Sequence, residues 1–181
     1  MTGHRLPDVL DTDLNVIFIG TAAGKVSAER GHYYAGPGNR FWPTLYEVGL
    51  TPRCFRPEEF QELLGLRMGL TDLSKLGAGM DHEIRPEEFD FAHFKKNLAE
   101  YRPRAIAFTS KKAAALAFGE DSTQDVAYGR QPPRDGLPEV FVLTSPSGAA
   151  RSHWDIAPWA ELASWLVATR QEGTSSPLRA G

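Results

Sequence analysis

Short apolar runs alternate along this chain with segments whose apolar residues recur at helical spacing. The apolar runs predict four buried strands, at residues 15–19, 68–73, 105–108 and 140–143. Apolar residues three or four apart predict helices at residues 39–48, 57–64, 86–101, 110–118 and 154–168. Strands that alternate with helices are typical of a parallel sheet covered on both faces. The pattern therefore predicts an α/β fold, a three-layer α/β/α sandwich around a central, mostly parallel four-stranded sheet.

The loops that follow the predicted strands carry the residues best suited to binding or chemistry. Parallel sheets bind ligands at the carboxyl ends of their strands, and the loops there hold residues 20–39, Asp72, residues 110–112 and residues 145–151. The first loop is long and rich in glycine, which lets another molecule approach the backbone closely, and its aromatic rings offer stacking faces. A plain connection whose tyrosines pack inward is the alternative for this loop.

Length and composition indicate a single globular domain. With 181 residues and 41% hydrophobic content the chain can bury a core, so we assign residues 1–181 to one domain with flexible ends at 1–13 and 171–181. Cys54 is the only cysteine, which excludes an internal disulfide and a four-cysteine iron–sulfur cluster. The sequence shows neither a signal-peptide pattern nor an apolar run that could cross a bilayer. We expect a cytoplasmic, intracellular monomer that does not bind membranes.

A phosphate-binding loop is a possible interpretation of residues 20–27, but the spacing does not fit. Gly20 and Gly24 are four positions apart instead of five, and Val26 follows Lys25 where Ser or Thr belongs. We therefore reject an ATPase.

A hydrolase triad and a metal site fit no better. A triad would draw on residues too close in sequence to adopt the required geometry: Ser145, Ser147, His153 and Asp155. A metal site would draw on adjacent residues, which rarely converge on one ion: Asp81, His82 and Glu83. We predict no metal and no cofactor.

Three segments in order resemble motifs of a known family. Residues 20–42, GTAAGKVSAERGHYYAGPGNRFW, are similar to the first motif of the mismatch-specific uracil-DNA glycosylase and thymine-DNA glycosylase branch of the uracil-DNA glycosylase superfamily. Residues 145–151, SPSGAAR, resemble the second motif of that branch, and residues 69–73, GLTDL, resemble its Gly-x-Thr-x-Leu segment. The resemblance covers roughly residues 16–165 and implies the same three-layer fold.

The activity that this resemblance implies is base excision from DNA. The expected protein is a monofunctional glycosylase that flips uracil out of double-stranded DNA, including from G:U mismatches, and hydrolyses its bond to the sugar, with other damaged bases as further candidates. Such an enzyme stacks the flipped base, hydrogen-bonds its edge and stabilises the charges that develop as the bond breaks. The alternative is a glycosylase-like protein that binds DNA lesions without hydrolytic activity.

The motif positions imply a role for each site residue. Tyr34 matches the aromatic residue that stacks on the flipped base, a task that needs its ring and not its hydroxyl. The base pocket is assigned to Gly20, Ala22, Tyr33, Tyr34, Asn39, Ser110, Ser145 and Ser147. DNA contact is assigned to three lysines and the segment that enters the gap left by the flipped base: Lys25, Lys111, Lys112, Gly148, Ala149, Ala150 and Arg151. These cations would supply a local basic face, which a net charge of −3 and a pI near 6.0 do not indicate.

Two positions depart from the family pattern. Ala22 stands where the motif carries the Asn or Asp that positions the attacking water, and Ser145 replaces the Asn, Met or His of other branches. Asp72, after the second predicted strand, is our candidate for the missing catalytic group, with Asp81 and Glu83 as weaker alternatives. An Asp that caps a turn is the structural alternative for Asp72.

Overall fold

The computed structural model describes residues 6–78 and 89–174 and has a sheet at its centre. Within these residues the strands are β1 (Val16–Ala23), β2 (Met68–Ala78), β3 (Ala105–Phe108), β4 (Gly129–Arg130) and β5 (Glu139–Val142). Their order is β2-β1-β3-β5-β4, parallel throughout except for β4, which runs antiparallel to β5. The sheet therefore has five strands, where four were predicted. The fifth was missed because β4 is two residues long and lies in a polar segment without an apolar run.

Helices cover both faces of this sheet, as predicted. The α-helices are α1 (Lys25–Arg30), α2 (Phe41–Glu47), α3 (Phe91–Tyr101), α4 (Lys111–Phe118) and α5 (Ala157–Thr174). Three 3₁₀ helices join them, at Pro57–Leu66, Thr123–Asp125 and Gly148–His153. The segment predicted as a helix from residue 57 is thus 3₁₀, and α5 begins and ends later than predicted. Neither α1 nor the 3₁₀ helix at Gly148–His153 was predicted, since both are short and lack an apolar face.

The alternation of side chains along the strands builds two separate cores. One face of the sheet packs against α2, α5 and the first 3₁₀ helix through Val16, Phe18, Leu70, Phe141, Phe41, Leu63 and Trp159. The other face packs against α3 and α4 through Ile17, Ile19, Ile106, Phe108, Phe94 and Ala114. Burial of each large apolar side chain contributes on the order of 1.5–3 kcal/mol, so both faces hold the helices in place. The three-layer α/β/α architecture predicted from the apolar pattern is confirmed.

Strands β1 and β2 extend beyond the runs that predicted them. In their register Gly20 pairs with Asp72 and Ala22 with Ser74, whereas β3 and β5 stop at Phe108 and Val142. Asp72 therefore lies in the middle of β2 and not at its carboxyl end, as the sequence had indicated. Asp72 still lies at the same edge of the sheet as the loops that follow β3 and β5. Those strands end at Phe108 and Val142, which are in register with Thr71, the residue before Asp72.

Part of the segment expected to be a mobile lead-in belongs to the core. Leu6 and Val9 are buried, and Val9 exchanges two 2.9 Å backbone hydrogen bonds with Leu70 of β2. The Asp8 carboxylate accepts hydrogen bonds from the Thr71 hydroxyl and, at 2.7 Å, from Nε2 of His93 on α3. These contacts cover the edge of β2 that lies opposite β1, where no strand of the described residues pairs with it.

Thr144 joins the end of β5 to α5 through a buried network. Its hydroxyl donates to the carbonyl of Asp155 at 2.6 Å and accepts from Nε1 of Trp159 at 3.0 Å, while its carbonyl accepts from the same Nε1 at 3.1 Å. The network holds the chain just before the predicted second motif.

Thr144→Val should lower the free energy of unfolding by about 1–3 kcal/mol, because the fully buried Thr144 hydroxyl, which bonds to both the Asp155 carbonyl and Trp159 Nε1, is removed. Urea denaturation measures the change. Thr123→Val, at an exposed threonine, is the matched control and should stay within about 0.5 kcal/mol of the parent. An unfolding midpoint equal to the control would contradict the structural role given to Thr144.

Candidate functional site

A cavity of about 640 Å³ opens at the carboxyl edge of the sheet. It is lined by most of the residues that the sequence assigned to the site: Gly20, Ala22, Lys25, Tyr33, Tyr34, Asn39, Asp72, Ser110, Ser145, Ser147, Gly148, Ala149 and Ala150. Three assigned residues, Lys111, Lys112 and Arg151, do not line it. The loops after β1, β3 and β5 thus meet at one place, as the topology of a parallel sheet requires.

The floor of the cavity holds a buried carboxylate beside a glycine. Asp72 is only 6% exposed, yet it borders the cavity. A Cβ atom on Gly20 would lie 2.5 Å from Oδ1 of Asp72, 3.4 Å from the Tyr34 hydroxyl and 3.6 Å from the Thr109 hydroxyl. Any larger residue at position 20 would displace the carboxylate. The absence of a side chain there lets the Asp72 carboxylate lie directly against the Gly20 backbone.

Tyr34 presents its ring to the cavity from a braced position. Phe41 stacks on the ring with centroids 3.9 Å apart and planes 14° from parallel, and the hydroxyl bonds to Oγ1 of Thr109 at 3.2 Å. The backbone of Tyr34 is left-handed, with φ of 53°, an arrangement that non-glycine residues adopt mostly where the surroundings impose it. Burial and the negative charge of Asp72 raise the pKa of the Tyr34 hydroxyl, which stays protonated at neutral pH.

Tyr33, in contrast, points into the core. It is 2% exposed, its hydroxyl donates to the carbonyl of Pro7 at 2.9 Å, and its own carbonyl accepts from Nε1 of Trp42 at 3.0 Å. Burial, then the charges of Asp72 and Asp8, raise the pKa of the Tyr33 hydroxyl. The inward packing weighed as the alternative for this loop therefore describes Tyr33, which adds only a small, buried part of the cavity lining, while the less buried Tyr34 also borders the cavity.

Four polar residues of the predicted base pocket use one atom each to hold backbone turns. Asn39 Oδ1 accepts from the Phe41 N–H at 2.9 Å, and Ser110 Oγ accepts from the Ala113 N–H at 3.0 Å as the N-cap of α4. Ser145 and Ser147 accept more weakly, at 3.4 and 3.3 Å, from backbone N–H groups two residues ahead. Their remaining groups, the Asn39 NH₂ and the serine O–H groups, can donate to a ligand.

The loop after β1, which carries the first predicted motif, is in direct contact with the loop after β5, which carries the second. The N–H of Arg40 donates to the carbonyl of Pro146 at 2.8 Å, and the Arg40 guanidinium lies 5.2 Å from the centre of the Trp154 ring. A Cβ on Gly148 would lie 2.8 Å from the Pro37 carbonyl oxygen, so the backbones of the two loops are in contact. This contact closes one wall of the cavity.

The basic residues assigned to DNA lie around the cavity or beside it. Lys111 places its Nζ 4.3 Å from the ring centre of Tyr128, which is 41% exposed. Within residues 6–78 and 89–174, Lys111, Lys112 and Arg151 form no ion pair, while several other arginines are paired with glutamates. Local positive charge is thus present on this edge in spite of the net charge of −3.

Sequence reasoning missed several residues of the cavity. Thr21, Ser27, Thr109 and His153 all line it. Thr109 directly follows the predicted strand 105–108, which was the signal that could have identified it. His153 was considered only for a hydrolase triad, and Asp155, its supposed orienting partner, instead accepts from the N–H of Ala157 at 2.9 Å.

Metal ligands and membrane segments were sought in the same part of the chain. Among the described residues, no group of three His, Cys, Asp or Glu side chains is placed to hold a metal ion. The candidates Asp81, His82 and Glu83 lie outside the described residues. No described helix combines the length and apolar character that crossing a membrane requires.

Comparison with known proteins identifies the family of the chain and a solved structure of similar fold. The profile of the uracil DNA glycosylase superfamily matches residues 7–167 of this chain. The solution NMR structure of a Methanosarcina acetivorans protein, assigned provisionally as a uracil DNA glycosylase, is 25% identical to the chain and superposes with a TM-score of 0.60. The alignment covers 90% of this chain and 96% of that protein.

Gly148→Ala should separate the two loops that form the cavity wall, because the added methyl group meets the Pro37 carbonyl. We expect a loss of about 1–3 kcal/mol in the free energy of unfolding, the usual scale of overpacking. Gly36→Ala is the matched control, since no atom lies within 4 Å of its Cβ position. Equal urea midpoints for the two variants would show that the loops are not held in contact.

Proposed function

Because the chain belongs to the uracil-DNA glycosylase superfamily, we propose that it is a monofunctional DNA glycosylase that removes uracil from double-stranded DNA, including uracil opposite guanine. One observation carries the proposal: a single cavity joins a buried carboxylate, Asp72, to the ring of Tyr34, which Phe41 braces from behind. A flipped base needs such a ring to stack on, and the reaction needs a charge that stabilises a cationic sugar. The assignment to the mismatch-specific branch rests on the motifs alone and stays a prediction.

The polar groups around the cavity suit the edge of uracil. Uracil offers two carbonyl acceptors and one N–H donor along its pairing edge. Since Oδ1 of Asn39 is held by the Phe41 N–H, its NH₂ group is directed away from that contact and can donate to a carbonyl of the base. The O–H groups of Ser145 and Ser147 can donate in the same way. Such donors also stabilise the negative charge that the leaving base acquires.

In the proposed reaction Asp72 acts on the water and on the sugar. The water oxygen bonds to C1′ of the deoxyribose while the bond from C1′ to the base nitrogen breaks. The electron pair of that bond leaves with the base, and Asp72 accepts a proton from the water. The same carboxylate stabilises the positive charge on the sugar while the bond breaks. Ala22 also lines the cavity, but its methyl group cannot do either task.

A lesion-binding protein without hydrolytic activity is the second candidate, and the alanine at position 22 favours it. Incubation with a labelled duplex that contains one G:U pair, followed by cleavage of abasic sites with alkali, distinguishes the two. Cut strand in proportion to enzyme supports the glycosylase. Strand that is bound in a mobility-shift assay but stays uncut at high enzyme concentration supports the binding protein. A panel of other damaged bases in the same duplex would define the substrate range.

Asp72→Ala should lower the single-turnover rate of uracil excision by on the order of a hundredfold or more, the usual scale for a positioned acid or base. Binding of the duplex should survive or become tighter, because a negative charge near phosphate is removed. Gel-based single-turnover kinetics and a mobility-shift titration measure the two effects.

The control for this substitution is Asp125→Ala, at an exposed aspartate. A second variant, Ala22→Asn in the Asp72→Ala background, should recover part of the rate if both positions serve the same water. Excision at the parental rate by Asp72→Ala would refute the assignment and direct attention to Asp81 and Glu83.

Tyr34→Ala should lose the surface on which the flipped base stacks, which is worth roughly 1–3 kcal/mol. We expect weaker binding of uracil-containing duplex, with binding of undamaged duplex unchanged. Tyr46→Ala is the control, since Tyr46 is 53% exposed. Equal binding by the two variants, with circular dichroism showing intact folds, would exclude Tyr34 as the platform.

A further inference from the structure

Tyr128 is an exposed tyrosine on a turn that hydrogen bonds hold in place. Its side chain is 41% exposed. The Nε2 group of Gln131 donates to the carbonyls on either side of it, those of Ala127 at 2.8 Å and Gly129 at 3.0 Å. Val126, which opens the turn, is buried in the core that α4 covers. A single exposed ring is common on protein surfaces, so its setting decides whether it has a partner.

The strand register places Tyr128 at the carboxyl edge of the sheet. Gly129 of β4 pairs with Val142 of β5, which in turn pairs with Phe108 of β3. Because β4 runs antiparallel to β5 and Tyr128 precedes Gly129, Tyr128 is level with the residue that follows Phe108. That residue, Thr109, lines the cavity. The exposed ring is therefore at the same edge as the proposed site.

Lys111 lies over this ring and has no carboxylate partner. Its Nζ is 4.3 Å from the ring centre of Tyr128, a cation–π contact. No carboxylate in the described part of the chain pairs with Lys111. The residue before it, Ser110, lines the cavity. Because the first turn of a helix carries positive partial charge, Lys111 is unfavourable for α4 itself, and a bound anion would offset that cost.

We propose that Tyr128 positions Lys111 to bind a phosphate of the DNA backbone just outside the cavity. The inference rests on the proposed function for the identity of the partner and deepens it, since it adds a positioning residue and gives the duplex a contact on the α4 side of the cavity. The ring restricts a lysine side chain that is otherwise flexible. Ordering that side chain in advance lowers the entropy lost when the ammonium group contacts a phosphate.

The salt dependence of duplex binding tests the inference, with a duplex that contains one stable abasic-site analogue as the probe. The slope of log K against log salt falls in magnitude by about 0.9 for each phosphate contact removed. Lys111→Ala should show a loss of that size. Tyr128→Ala should weaken binding about two- to fivefold, the scale of one exposed cation–π contact. Fluorescence anisotropy at several salt concentrations measures both effects.

Two further variants show whether the ring acts through the lysine. Tyr128→Phe keeps the aromatic face and should retain the parental affinity and slope. Tyr128→Ala in the Lys111→Ala background should weaken binding little further, because the cation that the ring positions is already absent. The matched controls are Lys96→Ala, at an exposed lysine of α3, and Tyr46→Ala, at an exposed tyrosine of α2. Both should keep the parental affinity and slope.

The outcomes separate this inference from the proposed function. A parental slope in Lys111→Ala would overturn the inference, as would equal losses from Tyr128→Ala with and without Lys111. A loss in Tyr128→Phe as large as in Tyr128→Ala would also overturn it, because the effect would then belong to the hydroxyl. None of these results changes uracil excision by the parent. A parent that excises no uracil, while the variants bind as expected, would refute the proposed function and leave the DNA contact standing.

Discussion

A carboxylate buried on an otherwise apolar face of a sheet is the constraint on which this site depends. Asp72 follows Met68 and Leu70 on the face that packs against α2 and α5, and it is nearly as buried as they are. An ionised carboxylate in such a place costs several kcal/mol unless polar groups surround it. Room for the carboxylate comes from Gly20 on the adjacent strand, because a Cβ atom there would lie 2.5 Å from Oδ1 of Asp72, and the carboxylate borders the cavity. Groups kept in costly positions are often those that perform chemistry.

The residues around this carboxylate are held in place by packing and hydrogen bonds that take no part in the proposed reaction. Buried Tyr33 and Trp42 anchor the glycine-rich loop from inside, and Ser27 accepts from the Ala35 N–H at 2.9 Å to close its turn. The backbone contact of Pro37 with Gly148 then fixes this loop against the second one. A loop held at so many points can sustain the left-handed backbone of Tyr34, and a prearranged platform lowers the entropy lost when a base binds.

The distribution of charge explains how a chain with a net charge of −3 could bind DNA. Arg53 is bonded to Glu59 and Glu62, and Arg130 to Glu139, away from the cavity. Fields of exposed charges decay over about 8–10 Å at physiological salt, so DNA at the cavity would experience the nearby lysines and Arg151 more than the net charge. Overall charge is therefore a weak guide to the ligand of this protein.

The sequence by itself determined the layered architecture and the edge of the sheet where the site lies, because apolar periodicity and strand–helix alternation are local properties. It also identified the loops of the cavity, since the topology of a parallel sheet brings them together. The sequence could not reveal β4, whose two residues pair only because the rest of the sheet is present. The apolar pattern could not show which of the adjacent residues Tyr33 and Tyr34 packs into the core; only the resemblance to the family motif gave them different roles. Tyr33 is buried in the core beside Trp42, and Tyr34 stacks on Phe41 at the cavity, because of the tertiary packing around them. The proximity of Gly20, Asp72, Tyr34 and Thr109 was decided by tertiary structure alone, because strand register sets Gly20 beside Asp72 and the folding of the loop after β1 brings Tyr34 to Thr109.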